Sequence, residues 1–339
     1  MEKKELDRIL VVGGAGYIGS HMLLRLQDSG WPSDALAVFD NLSRGYRDAC
    51  GDVRLWEGDL LDPDSVRRCL LEFRPDLVMH FGAFAYVGES VQAPDLYYSN
   101  NLMGSLNLLN AMSDLGIRRL VFSSTCATYG EPEVVPIPES HPQRPINPYG
   151  RTKLMVEQIL MDYAHAYGLQ AIGLRYFNAA GADPQGRARE RHEPETHLIP
   201  LVLREAERLQ AGGNPRETLL QVFGNDFSTD DGSCVRDYIH VQDLCDAHLK
   251  AAQQISRFPA GGRVEFFNLA NGNGFSVFDV IETCRQVTGQ PIEARVVSRR
   301  AGDPARLIGT AEKAKSVLGW EPSFGLEDMV RHAWGAKSY

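Results

Sequence analysis

Tyr149 and Lys153 stand four residues apart in the run Asn147-Pro148-Tyr149-Gly150-Arg151-Thr152-Lys153. Asn is a strong helix N-cap and Pro suits the first helical position, so the run predicts a helix opening at Pro148 with both side chains on one face. A phenol ordinarily ionises near pH ~10. To act as a base near neutrality it must fall by about 3 units, or about 4 kcal/mol. A lysine ammonium and a helix N-terminus both favour the phenolate, so the pair reads as a tyrosine base with its activating cation. The spacing alone is a weak signal. Yet the chain uses 28 arginines and only seven lysines, and it places a lysine here. The pair also follows the strand pattern Val121-Phe122-Ser123-Ser124-Thr125, which delivers the Thr125 hydroxyl to the carboxyl end of a sheet, where ligands bind.

A second group of residues predicts what the base works beside. Gly13-Gly14-Ala15-Gly16-Tyr17-Ile18-Gly19 follows one apolar strand pattern and opens an apolar helix. Glycines at 13, 16 and 19 permit a tight turn, close backbone approach to a pyrophosphate and close helix packing. The helix start offers unpaired N–H groups to phosphate oxygens. A further strand pattern ends at Asp40, whose carboxylate suits both adenine-ribose hydroxyls and repels a 2′-phosphate, so the expected cofactor is NAD. Arg44 pulls weakly the other way. Asp59, in Gly58-Asp59-Leu60, reads either as an adenine contact or as a loop cap. A cationic nicotinamide ring would add to the charges that favour the Tyr149 phenolate.

Such residues need a scaffold that gathers strand ends. Strand patterns at Arg8–Val12, Ala35–Asp40, Val53–Glu57, Leu77–Phe81, Leu120–Ser124 and Ala171–Phe177 alternate with helix patterns such as Ile18–Ser29, Pro63–Phe73 and Leu96–Leu115. Alternation with mostly continuous apolar strands means a parallel sheet covered on both faces. The expected fold class is α/β: a Rossmann-type, doubly wound parallel sheet with a smaller C-terminal α/β substrate lobe. Loops multiply from about Asn178, so residues 1–178 read as the NAD-binding domain and 179–339 as the second lobe. Segments near 235–270 are candidates to return to the first sheet.

Composition narrows the class. A formal charge of −9 in 339 residues argues against a duplex nucleic-acid binder, and no basic stripe suits an anionic membrane. No apolar run approaches the ~18 residues of a spanning helix, and Met1–Glu5 leads straight into a strand pattern, without a signal-peptide core. Cys50, Cys69, Cys126, Cys234, Cys245 and Cys284 form no C-x-x-C pair and read as reduced thiols, so the expected location is cytoplasmic and no metal site is expected.

Taken together, the motifs resemble the extended short-chain dehydrogenase/reductase family and, within it, the UDP-galactose 4-epimerases. The resemblance runs over nearly the whole chain: GGAGYIGSH (13–21), FDN (39–41), VGESV (87–91), the SST-x-x-x-YG run (123–130), NPYGRTKLMVEQIL (147–160), LRYFNAAGA (174–182), the VFGND to VRDYIHV stretch (222–241) and SRRAGDPA (298–305). The RYFN, FGND and VRDYIHV blocks are more specific to nucleotide-sugar epimerases than the rest. The resemblance implies that Tyr149 takes the proton from the sugar 4-hydroxyl. Lys153 would hold the nicotinamide ribose, and Thr125 would take the place where many relatives have serine. It implies NAD contacts from Tyr17, Ile18, Asp40, Asn41, Asp59, Leu60, Phe81, Asn100 and Phe177. It implies UDP-sugar contacts from Asn178, Leu198, Phe223, Arg236, Arg300 and Asp303, the two arginines suiting a diphosphate. Homodimers are usual in the family, through helices corresponding to Leu96–Leu115 and Tyr149–Tyr167. Three departures stand out. Val12 precedes the Gly turn where threonine is usual, and Ala85 stands where some relatives have lysine. His197 replaces an asparagine near the sugar; it reads as a lone histidine able to hydrogen-bond substrate but without partners for a metal.

The resemblance also bears on the reaction. Related dehydratases and decarboxylases carry carboxylates just after the Thr125 position, whereas this chain has Cys126-Ala127-Thr128. That favours simple 4-epimerisation of UDP-glucose and UDP-galactose, with Cys126 a small buried residue rather than a nucleophile. Leu307 falls at the position that gates an N-acetyl group, and its intermediate size leaves UDP-N-acetylglucosamine open. The stretch from Ser123 to Glu133 also resembles UDP-xylose/arabinose 4-epimerases. A nucleotide-sugar oxidoreductase that releases NADH and a catalytically silent nucleotide sensor complete the alternatives.

Overall fold

The structure is a computed structural model that describes residues 6–300 and 303–336. Met1–Glu5, and Ala301 and Gly302 of the SRRAGDPA block, lie outside the described residues. The first half folds as strands β1 Ile9–Val12, β2 Leu36–Asp40, β3 Arg54–Glu57, β4 Leu77–His80, β5 Arg119–Thr125 and β6 Gln170–Tyr176, with helices α1 Tyr17–Asp28 and α2 Pro63–Phe73 among the connections. All six join one parallel sheet, and Arg263–Leu269 adds a seventh strand beside β6. From that seventh strand inward the order is β6, β5, β4, β1, β2, β3, so the winding reverses between β1 and β4. The expected doubly wound α/β architecture is therefore present. A crevice beyond the carboxyl ends of β1 and β4 follows from that reversal.

The continuous apolar strands have the expected cause. In β1, Ile9 and Val11 face one apolar cluster with Met22, Leu26 and the helix Val241–Ile255, while Leu10 and Val12 face another with Leu70, Phe73 and Leu108. Successive strand residues point to opposite faces, so only a sheet covered on both sides buries all four. The seventh strand and the Val241–Ile255 helix, packed on α1, complete this body.

A smaller body carries short strands. Val235–His240 pairs with Asn178–Ala180, Gly274–Ser276 and Arg306–Leu307, and Gln221–Phe223 pairs with Arg295–Val297. Helices Leu198–Gln210, Val277–Thr288 and Leu326–Gly335 pack around a third core containing Ile199, Val202, Val280, Ile281 and Met329.

One element departs from its pattern. The helix read over Leu96–Leu115 is interrupted: Pro94–Tyr97 is α-helical, Tyr98–Met103 is a π-helical turn, and the α-helix resumes at Gly104–Asp114. The widened turn brings Asn101 over the loop after β4, where its amide accepts from the Phe84 N–H at 2.8 Å and donates to the Phe84 carbonyl at 2.9 Å. Hydrophobic spacing does not register a single widened turn of this kind, which often marks a functional site.

Candidate active site

A cavity of about 1600 Å³ opens where the sheet order reverses and runs into the smaller body. Its floor is the Gly13–Gly19 turn. Gly13 has φ +78°, and a Cβ there would meet the Gly82 nitrogen at 2.5 Å; a Cβ on Gly19 would meet the Gly13 carbonyl oxygen at 2.2 Å. These glycines therefore leave room that any side chain would fill, at the N-terminus of α1. Gly16 is the N-cap of that helix and offers no side-chain cap, so the first N–H groups of the helix stay free to meet an anion.

Asp40 ends β2 on the cavity wall, and Leu42 and Ala15 donate their N–H groups to its two carboxylate oxygens at 2.8 and 3.0 Å. Burial raises its pKa while these two N–H groups hold it down. Asn41 lines the cavity next to Asp40. Asp59 stands behind it, accepting from the Asn41 amide at 2.9 Å and from the Leu61 N–H at 2.8 Å, as a loop cap does. Arg44 is engaged elsewhere: one Nη donates to both Glu89 oxygens at 2.7 Å, and the guanidinium lies over the Phe84 and Tyr86 rings. A carboxylate facing the ribose position, with the nearest arginine paired away, suits NAD better than a 2′-phosphate. The residues present fit NAD.

The predicted catalytic residues meet on the cavity wall. Asn147 Oδ1 accepts from the Gly150 N–H at 2.8 Å, Pro148 takes the first helical position, and the helix runs Pro148–Tyr167. Thr125 ends β5, and its hydroxyl hydrogen-bonds Tyr149. Lys153 is only 4% exposed, and its ammonium donates to the Ser123 carbonyl at 2.7 Å. Burial pushes the Tyr149 phenol up to about 12, against the pull of the Thr125 hydrogen bond. Burial likewise brings Lys153 down to about 7, opposed by Glu157. The protein's own groups thus raise the phenol rather than lower it, contrary to the expected fall. A phenolate near neutrality requires positive charge brought by a ligand. Cys126 is pushed up to about 12 by burial, which makes it a poor nucleophile.

Ile18, Leu60, Phe81, Asn100 and Phe177 also line the cavity, as do Asn178, His197, Leu198, Phe223, Arg236, Arg300, Asp303 and Leu307. Arg236 sits 3.4 Å from Asp303 and donates to the Pro304 carbonyl at 2.8 Å, while Arg300 lies over the Phe223 ring at 3.8 Å. Asn178 donates to the Asp237 carbonyl at 2.8 Å.

His197 needs correction. It is not lone: its Nδ1 lies 2.9 Å from Glu190 and 2.8 Å from Glu195, and the His192 ring lies tilted 4.9 Å away. Burial lowers its pKa, but the two carboxylates outweigh burial and lift it to about 10. Sequence reasoning missed Glu190, His192 and Glu195, although two E-x-H pairs in eight residues were there to be seen; a loop gives such pairs no period to highlight them. It also missed Tyr86, a cavity residue whose ring packs against His192 and His197.

With this geometry in view, the comparisons with known proteins are specific. Residues 9–269 match the NAD dependent epimerase/dehydratase family. The chain belongs to that family. A protein of Halalkalibacterium halodurans named UDP-glucose 4-epimerase is 50% identical over 327 residues, covering 96% of this chain and 94% of that one. The crystal structure of UDP-glucose 4-epimerase from Brucella ovis in complex with NAD superposes with a TM-score of 0.89 at 43% identity, covering 97% of this chain and 98% of that one. A UDP-glucose 4-epimerase from Stenotrophomonas maltophila, solved with NAD and formylated UDP-arabinopyranose, superposes at 0.89 with 37% identity over 98% of both chains.

Proposed function

We propose that this chain is an NAD-dependent isomerase that interconverts UDP-glucose and UDP-galactose at carbon 4. The observation that carries the reading is the hydrogen-bonded Thr125–Tyr149 pair on the cavity wall, between a glycine turn suited to a pyrophosphate and two arginines suited to a second diphosphate. A relative of 50% identity that bears the name UDP-glucose 4-epimerase supports it. So does the absence of an acid at 126–128, where a dehydratase would need one.

In this reading the large sheet body is the NAD lobe and the smaller body the UDP-sugar lobe. NAD supplies the acceptor and donor for the carbon-4 hydride. The chain supplies the rest. Tyr149 takes the proton of the 4-hydroxyl and returns it; Thr125 holds the same oxygen. The Lys153 ammonium orients the cofactor ribose and favours the phenolate. Arg236 and Arg300 grip the diphosphate through forked, charge-assisted bonds, with Asn178, Leu198, Phe223 and Asp303 around the uridine side. Anchoring by the diphosphate leaves the sugar ring free to present either face. Because the hydride is returned, there is no net redox change. Absorbance at the NADH band therefore stays flat during turnover of UDP-galactose; growth stoichiometric with substrate would replace this reading with the oxidoreductase.

The same reading places the enzyme in the cytoplasm, supported by six cysteines that form no disulfide among the described residues, none of whose helices is long and apolar enough to cross a membrane. It also makes it a homodimer through the faces that expose Leu96, Met103, Met155 and Met161. Mass by light scattering tests the dimer.

A further inference from the structure

We propose that Glu190, His192, Glu195 and His197 form a binding site for one divalent metal ion of the zinc class. Nothing in the epimerase reading requires it. The four side chains offer two imidazole nitrogens and two carboxylate oxygens, all within 4.8 Å of one another. His192 Nδ1 is 2.7 Å from Glu190 Oε1, and His197 Nδ1 is 2.9 Å from the same oxygen and 2.8 Å from Glu195 Oε1. A tetrahedral ion with bonds of about 2.0–2.1 Å holds its ligand atoms about 3.4 Å apart, so small side-chain shifts convert this cluster into a coordination shell.

Charge and support point the same way. The Glu190 and Glu195 side chains are 8% and 2% exposed. Two buried carboxylates side by side demand positive charge. Arg187, Arg191 and Arg204 pair elsewhere, with Asp28 and Asp183, Asp48, and Glu193, so the charge the two carboxylates face is that of the His197 imidazolium, and a divalent ion would take its place with the imidazole deprotonated. Glu195 is already oriented, since its Oε1 accepts the N–H groups of Thr196 at 2.7 Å and His197 at 2.8 Å, as outer-shell bonds orient a metal ligand. An independent observation comes from Tyr86. The residue is 7% exposed and its ring packs edge-on to His192 at 5.7 Å, yet its hydroxyl has no hydrogen-bond partner among the described residues. An unsatisfied buried oxygen next to the cluster is what a neighbouring cation would relieve.

The donor set selects the ion. Imidazole nitrogens suit zinc, copper and nickel, whereas calcium and magnesium take oxygen ligands almost alone. Four protein ligands leave no open position, which is the pattern of a structural ion. Such an ion would fasten the loop at 190–197 to the start of the helix Leu198–Gln210, on the cavity wall.

The test uses the NAD-loaded enzyme, dialysed against a chelator and titrated with Co²⁺ and then Zn²⁺. We expect one Co²⁺ per chain with the intense visible absorption of a four-coordinate ion, its displacement by Zn²⁺, and a rise in Tm with Zn²⁺. All three are lost in His192→Ala and Glu195→Gln. His192→Cys, which keeps a ligand, adds a thiolate charge-transfer band to the Co²⁺ spectrum, a positive signal that does not depend on the other variants folding. No uptake of either ion, uptake unchanged in both loss variants, or a Co²⁺ spectrum unaltered in His192→Cys overturns the proposal.

Discussion

Tyr149 carries the account at the scale of the residue. Its phenol has the geometry of a base, hydrogen-bonded to Thr125, but burial pushes it up to about 12, so its activity depends on nearby positive charge. Tyr149→Phe should lower kcat by about 10²–10⁴-fold, the usual contribution of a positioned base, while KM for the UDP-sugar changes little. In the epimerase reading, Lys153→Met removes one of the charges that, with the cationic nicotinamide of bound NAD, favour the phenolate. The phenol of that variant then ionises at a higher pH than in the parent, and the base form grows as pH rises. The variant should therefore be slow at pH 7 and gain more from rising pH than the parent; a pH–rate profile of both enzymes checks this. An unchanged profile would mean that Lys153 positions the cofactor without tuning the base. Tyr149 and Lys153 were legible because helical spacing gives two side chains one face. The raised phenol was not, because burial is a property of the packed cavity.

The elements that hold these residues were legible to different degrees. The helix at Pro148 opens where Asn147 and Pro148 direct it, and α2 occupies the range its pattern predicts, Pro63–Phe73. Cap chemistry is local, so sequence reveals it. The π turn at Tyr98–Met103 is set by Asn101 reaching Phe84 across the chain, and only the assembled loop shows it. The Asn147 cap gives a prediction at this scale. Its Oδ1 satisfies the Gly150 N–H and fixes the first turn, the turn that carries Tyr149. Asn147→Ala should cost about 1 kcal/mol in stability, read as a lower urea midpoint. It should also lower kcat by more than that loss of folded enzyme explains, because Tyr149 moves with the turn. A variant with the lower midpoint and parental kcat would confine Asn147 to stability.

Across the whole molecule, the sheet was the most legible part, because strands buried on both faces must read as continuous apolar runs. The smaller body was read only as a change of texture, since its two- to six-residue strands are too short to show a period. One polar group inside the main body joins several elements. Glu157 is 1% exposed and accepts from Arg175 at 2.9 and 2.6 Å, from Ser124 at 2.5 Å and from Gln143 at 2.8 Å, tying the Pro148–Tyr167 helix to β5 and β6. Burying such a pair is no gain by itself, but removing one partner strands the other charge. Glu157→Ala should destabilise the fold by about 3–5 kcal/mol, measured by urea unfolding. A loss under ~1 kcal/mol would mean that Arg175 finds water or another acceptor.

The central claim is that Tyr149 and a retained NAD epimerise a UDP-sugar at carbon 4. Its most direct test is proton NMR of the purified protein with UDP-galactose and no added NAD, run beside Tyr149→Phe. UDP-glucose should appear without accumulation of a keto sugar in the parent sample, and conversion should be all but absent in the variant. No conversion by the parent even after NAD is added, or equal conversion by the variant, would contradict the account.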